Sequence, residues 1–301
     1  MTNIVAVIEQ IIMLLCITTV GFYMRRKGVM TDPVIKGVNT LLLRVAWPCM
    51  ILMTTQKECT SETVANFLTI LVITLVVLGI ASVAAFLITR KAASNAPSAV
   101  FTILAVLPNA GFVGLPIIKA VYGDLGVFYL SAFLVGFNIV VWTICVFFFT
   151  GISVRSLKEA LNPGFIAAIL GTALFLLRIA LPTPLAATVT QLGSLTTPLS
   201  MLLLGARLSQ ISPKVFRSKL LWCAYALKLL VMPMVTFGIM HLLKVEPLLI
   251  GVTVISMAMP SPAVAQLFAE KYGDDVELAT TGVSISTLLC IVTIPLIMLI
   301  I

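Results

Sequence analysis

Two prolines mark where this chain can do chemistry. Pro108 lies in LPNAGFVGLP (residues 107–116) and Pro260 in MPSPA (residues 259–263), each near the middle of a long apolar run. A proline inside a helix removes one backbone donor and clashes with the preceding turn. The carbonyls it frees cannot face lipid, so a break at that depth must be buried in protein or line a wet cavity. The residues that follow, Asn109 and Ser261, are 152 positions apart, and both are good N-cap types. Pro262 suits the first position of a new helix. Each run therefore reads as a half-helix, an unwound link and a second, freshly capped half-helix. If the two links meet, two helix N-termini open into one pocket, and their N–H groups and partial positive charge favour an anion. The expected binding groups are Asn109, Ala110 and Gly111 at one link and Ser261, Pro262 and Ala263 at the other. Asn138 in the next run adds a side-chain amide. Gly111 and Gly114 supply the small surface that lets another backbone pass close by.

The charges inside apolar runs are the second source of chemistry. Arg44 and Lys228 are expensive in hydrocarbon and should face protein or water. They are candidates for attracting an anion or for acting as mobile charges in coupling. Their structural alternatives are snorkelling or carbonyl binding for Arg44, and a place nearer the boundary for Lys228. No Asp or Glu lies within several residues of Pro108 or Pro260. A proton or sodium antiporter is expected to carry a carboxylate at its core, so an anionic or neutral organic substrate fits better. His241 is the single histidine, and the six cysteines form no CxxC pair or Cys/His spacing. No metal or other cofactor is expected.

The elements that must position these groups follow from composition. Of 301 residues, 60% are hydrophobic and 10% charged, and mean hydropathy is +1.18; this is a polytopic membrane protein and not a soluble globule. Ten spans are expected near 4–24, 33–55, 63–88, 97–120, 124–150, 162–181, 188–208, 215–243, 246–269 and 275–301. Met1–Glu9 lacks the basic start of a signal peptide, so the first run is expected to be a permanent span. Thirteen of the 19 Lys and Arg residues fall in odd-numbered loops and four in even-numbered ones, which puts the odd loops in the cytoplasm and both termini outside. The net charge of +8 sits at span ends and is not patched as in a nucleic-acid surface, so no nucleic-acid partner is expected. The setting is the lipid bilayer of the cell membrane.

The chain also repeats itself. YGD occurs at 122–124 and 272–274, and Pro48 and Pro198 are likewise 150 residues apart. With Pro108 and Pro260, three features recur in the same order at half the chain length. Five spans per half is odd, so the second half must enter the membrane inverted, an architecture that places a transporter's substrate site between the repeats. The expected fold is all-α, with ten transmembrane helices in two inverted five-helix repeats. These are residues 1–150 and 162–301, joined by a short cytoplasmic linker at 151–161. The fourth and ninth helices are broken and cross.

At these residues the chain resembles the auxin efflux carrier family, which includes the plant PIN auxin exporters and many prokaryotic transporters. The resemblance rests on LPNAGFVGLPIIKAVYGDLGVFYL, on MPSPAVAQLFAEKYGDD and its continuation, on NTLLLRVAWPCMIL and on TTPLSMLLLGARLS, and it covers essentially the whole chain. It implies a fold related to the bile acid/sodium symporters. Residues 1–56 and 162–210 would form a scaffold, and 62–150 and 215–301 a transport domain. The broken helices would cross at Pro108 and Pro260, and the substrate carboxylate would sit beside Asn109. The resemblance further implies elevator-like movement and a homodimer. The long cytoplasmic loop of the plant exporters is absent, so neither loop-based regulation nor auxin carries over, and small carboxylates are the implied substrates. The expected function is secondary transport of a small organic anion. The alternatives are sodium-coupled uptake of an amphipathic anion, for which Thr196, Thr197 and Ser200 near Pro198 are the available polar groups, a passive channel, and an intramembrane enzyme. The last lacks paired intramembrane aspartates and an HExxH helix.

Overall fold

The computed structural model describes residues 2–56, 59–92, 98–151, 163–209 and 219–301. The expected linker beyond Gly151, with Arg155 and Lys158, lies outside them, as do Lys57, Lys214 and Arg217. The described residues are 86% helix, with no strand among them. In order, the helices are α1 (Thr2–Arg26), α2 (Asp32–Thr54), α3 (Ser61–Ala92) and α4 (Ser98–Val106). Then come α5 (Leu115–Val140), α6 (Val146–Thr150), α7 (Pro163–Leu176), α8 (Thr183–Ser194) and α9 (Thr196–Leu208). The last four are α10 (Leu221–Leu242), α11 (Pro247–Ala258), α12 (Val264–Tyr272) and α13 (Val276–Met298). Six helical stretches are long and apolar enough to cross a membrane. Apolar side chains such as Ile80, Ile88 and Val292 face outward, each more than half exposed. In water that surface would be a liability; in lipid it is the solvated face. The chain is an all-α polytopic membrane protein.

Proline chemistry explains most of the irregularity in these helices. Short π turns run at Leu42–Ala46 in α2, Ala110–Gly114 before α5, Val141–Cys145 after it and Leu227–Val231 in α10. Three of them end two residues before a proline, namely Pro48, Pro116 and Pro233. The proline has no N–H to give the carbonyl four residues back and its ring crowds that carbonyl, so the helix widens by one residue there. Nothing in the structure explains the fourth. Pro198, expected to echo Pro48, sits instead in the first turn of α9. Its missing N–H has no intrahelical partner there, and no widening follows.

The two YGD tripeptides end helices in similar ways. Gly123 takes φ 62° and bends the chain within α5, while Gly273 takes φ 72° and closes α12. Positive φ is nearly free for glycine and costly for other residues, which accounts for a glycine at both places.

Two packing groups are visible. In one, α1 runs along α9, and α2 lies against both α7 and α8. In the other, α5 packs on α3 and α11, while α10 contacts α4 and α11. Every residue from Leu249 to Ala258 of α11 is buried, as are most of α5 from Gly126 to Val140. These two helices form the centre of the molecule, and the broken helices sit there.

Candidate functional site

The first break follows Val106, where α4 ends. Leu107, Pro108 and Asn109 form the link, and Asn109 adopts φ −86°, ψ 51° before the π turn begins at Ala110. The Asn109 carbonyl accepts the first bonds of that turn, from the N–H groups of Val113 (3.2 Å) and Gly114 (3.4 Å). The second break follows Ala258. Met259 is extended (φ −62°, ψ 153°), and helix resumes only at Val264.

The two links are in direct contact. The Asn109 N–H donates to the Pro260 carbonyl at 2.7 Å. The Ser261 hydroxyl donates to the Leu104 carbonyl at 2.7 Å, and the Ser261 N–H donates to the Ser286 hydroxyl at 3.1 Å. Backbone groups freed by one proline are thus satisfied by the other break, which is how irregular chain survives at this depth.

These bonds correct the capping expectation. Neither Asn109 nor Ser261 caps a helix through its side chain. The N-cap of α12 is Ala263, two residues later than expected, and the first turn is built on the Pro262 and Ala263 carbonyls. Ser261 is fully buried and its hydroxyl proton is committed to Leu104. The Asn109 amide, in contrast, makes no side-chain hydrogen bond among the described residues.

A cavity of about 60 Å³ lies beside the links, and Pro108, Asn109, Gly111, Asn138, Pro262 and Ala263 all line it. Ala110 is buried in the π turn, and Ala110, Pro260 and Ser261 do not line the cavity. Asn138 gives one amide hydrogen to the Leu134 carbonyl of its own helix at 2.7 Å, which fixes its orientation. The first N–H groups of both resumed helices have no intrahelical partner, as geometry requires. The cavity wall carries asparagine amides and no Asp or Glu.

Several lining residues carry signals that could have been found. Asn39, Leu43 and Trp47 recur at intervals of four in α2 and present one face to the cavity. The Trp47 ring meets Phe112 edge-on at 4.6 Å. An asparagine in an apolar span, followed eight residues later by a tryptophan, is a polar stripe that the search for broken helices passes over. Gly111 abuts the same ring: a β-carbon there would collide with Trp47 Cζ3 and Cη2. Gly111→Ala is accordingly expected to displace Trp47 into the cavity and cost about 1–3 kcal/mol. Thermal unfolding of the purified variant checks this; an unchanged midpoint would mean that the ring moves freely.

The charges are rearranged relative to expectation. Arg44 is exposed on α2 and does not line the cavity, because the face of α2 carrying Asn39 and Trp47 points the other way. Lys228 is fully buried, but not on the cavity wall. Arg207 lies in the last turn of α9. It lines a smaller adjoining cavity shared with Asn39 and Asn109, together with Ser200 and Gln266. Its side chain is 15% exposed and stands 3.5 Å from Glu270 of α12. The Ser200 hydroxyl donates to the Thr197 carbonyl at 2.8 Å, while the buried Thr196 hydroxyl has no partner in the structure.

Comparison with known proteins agrees with a transport role. The family described as "Membrane transport protein" matches residues 6–156 and 150–298. An uncharacterized transporter of Methanothermobacter thermautotrophicus is 25% identical over 296 residues, covering 96% of each chain. An uncharacterized transporter of Methanocaldococcus jannaschii is 23% identical over 302 residues, again covering 96% of each.

Proposed function

Because this chain belongs to the membrane transport protein family, which includes the auxin efflux carriers, we propose that it is a secondary transporter for a small organic anion, held by its carboxylate at the meeting of the two broken helices. The observation that carries this is the Asn109–Pro260 bond. It ties the two links together and leaves the Asn109 amide and the unpaired N–H groups beside one cavity. Substrate binding would involve Asn109, Gly111, Pro262, Ala263 and Asn138, which line the cavity, with the two asparagine amides contributing most, while Ala110 and Ser261 hold the links behind it. The narrowness of the cavity favours a small carboxylate over a bulky amphipathic one.

The rest of the reading is mechanical. Ten spans in two inverted repeats would form a scaffold (1–56, 162–210) and a transport domain (62–150, 215–301), in a homodimer in the cell membrane with both termini outside. The α1–α9 and α2–α7–α8 contacts suit a static unit, and the cavity lies where its α2 faces α5 and α12. Sliding of one unit past the other would expose the site alternately to each side.

The test is thermal stabilisation of the purified protein by mono-, di- and aromatic carboxylates, followed by counterflow of any hit in proteoliposomes. A ligand that binds only the folded state raises apparent stability. Saturable, trans-stimulated counterflow supports a carrier; flux that never saturates identifies a channel, and no hit across the panel overturns the anion site. Within this reading, Arg207→Gln is expected to weaken binding roughly tenfold, the size of one lost charge-assisted bond. Glu270→Gln, which releases Arg207 from its partner, is expected to strengthen it. Titrating both variants with the hit decides whether Arg207 faces the ligand.

A further inference from the structure

Lys228 is fully buried at the centre of the bundle, yet among the described residues no carboxylate pairs with it. Its ammonium donates to the Met257 carbonyl, in the last turn of α11 immediately before the second break. The neighbouring Ala258 carbonyl takes only a weak contact from the Cys290 thiol at 3.8 Å. The C-terminus of α11 is therefore an end with outward-facing carbonyls and partial negative charge, sealed from solvent and met by one full positive charge. A buried ammonium is costly unless something specific compensates it.

The other break is built differently. The end of α4 is met by the neutral Ser261 hydroxyl at Leu104. Position 78, one repeat offset of 150 before Lys228, is Leu78, buried and apolar. A lysine is thus present at only one of the two comparable places, and general helix packing does not require it. In secondary transporters, half-helix C-termini and unwound carbonyls are where coupling cations are held.

We propose that the Lys228 ammonium is a resident cation of the α11 C-terminus, occupying the place where a diffusible coupling cation would otherwise bind. The site is then complete without sodium or potassium, and its fixed positive charge lies on the same broken helix as the anion-binding link. The π turn at Leu227–Val231, set by Pro233, is the device that aims Lys228 inward. Lys228 acts through α11 and not by touching the ligand, so it is a positioning residue.

The test needs no knowledge of the substrate. Full-length protein and the variants Lys228→Ala and Lys228→Met are unfolded thermally in sodium, potassium, choline or methylammonium chloride at equal ionic strength. Wild type is expected to unfold at one temperature in all four salts, and so is Lys228→Met, whose side chain fills the space. Lys228→Ala is expected to be stabilised selectively by methylammonium, which re-enters the vacated place by mass action. An alanine variant indifferent to methylammonium, or a wild type that sodium stabilises specifically, overturns the proposal. Should Lys228→Ala not accumulate, the comparison moves to the carboxylate found by screening. Roughly tenfold weaker binding in Lys228→Met with retention in Lys228→Arg supports the resident charge, and unchanged affinity in Lys228→Met refutes it. The salt series stands even if the carboxylate screen fails, so the two readings fail separately.

Discussion

Asn109→Ala is expected to remove half or more of the stabilisation given by the proposed carboxylate ligand while leaving a folded, inserted protein. The separation of the two effects follows from which atoms of Asn109 do what. Its N–H ties to Pro260 and its carbonyl starts the π turn, and alanine keeps both. Its side-chain amide makes no hydrogen bond among the described residues and is aimed at the cavity, so truncation leaves no buried partner orphaned. Loss of a bond from a neutral donor to a carboxylate is worth about 1.5–3 kcal/mol, or roughly ten- to a hundredfold in affinity. A wild-type shift measured at a hundred times the dissociation constant, worth about 2.7 kcal/mol, would then fall to between about 1.4 and 0.4 kcal/mol. Asn109→Asp should lose the response completely, since it sets a negative charge where the anion belongs. Full retention of the shift in Asn109→Ala would mean that the ligand sits elsewhere and the broken helices are structural.

Much of this site could be read from sequence because its cause is covalent. Proline changes the backbone wherever it stands, so Pro108 and Pro260 announce breaks without knowledge of any neighbour. Gly123 and Gly273 announce helix ends in the same way, through backbone conformations that other residues avoid. What could not be read depends on which face of a helix turns inward. Asn39 and Arg44 are both polar residues of one apolar span, and only the packing of α2 against the cavity shows that Asn39 turns inward and Arg44 outward. The inward turn of Arg207 is hidden for a related reason. A charge at the end of an apolar run looks like a boundary, whereas a long side chain there can turn back along the helix into a cavity. The capping role given to Ser261 fails on where the helix begins. The helix resumes only at Val264, so no first-turn N–H is presented to Ser261, and its hydroxyl turns to the Leu104 carbonyl, distant in sequence but adjacent in space.

Gly205→Val is expected to be the most damaging single substitution outside the site, at about 3 kcal/mol or more, from the upper end of overpacking costs. A β-carbon at Gly205 would collide with the Thr18 carbonyl oxygen and lie 2.7 Å from the Phe22 nitrogen, all backbone of α1. The approach is mutual, since a β-carbon at Gly21 of α1 would strike the Leu202 backbone of α9. Side chains can rotate away from a clash, but two helix backbones can only separate, which forfeits packing along the whole crossing. Lipid offers no hydrophobic drive to hold helices together, so contact at small residues is what binds them. The control is Gly238→Ala in α10, where a β-carbon meets nothing within 4 Å. There alanine should stabilise by up to about 1 kcal/mol, through helix propensity alone. Unfolding midpoints of the two variants in one detergent should move in opposite directions. If Gly205→Val unfolds with wild type, α1 and α9 are not the fixed pair that the proposed sliding requires, and the proposed static unit must be sought in the α2–α7–α8 contacts instead.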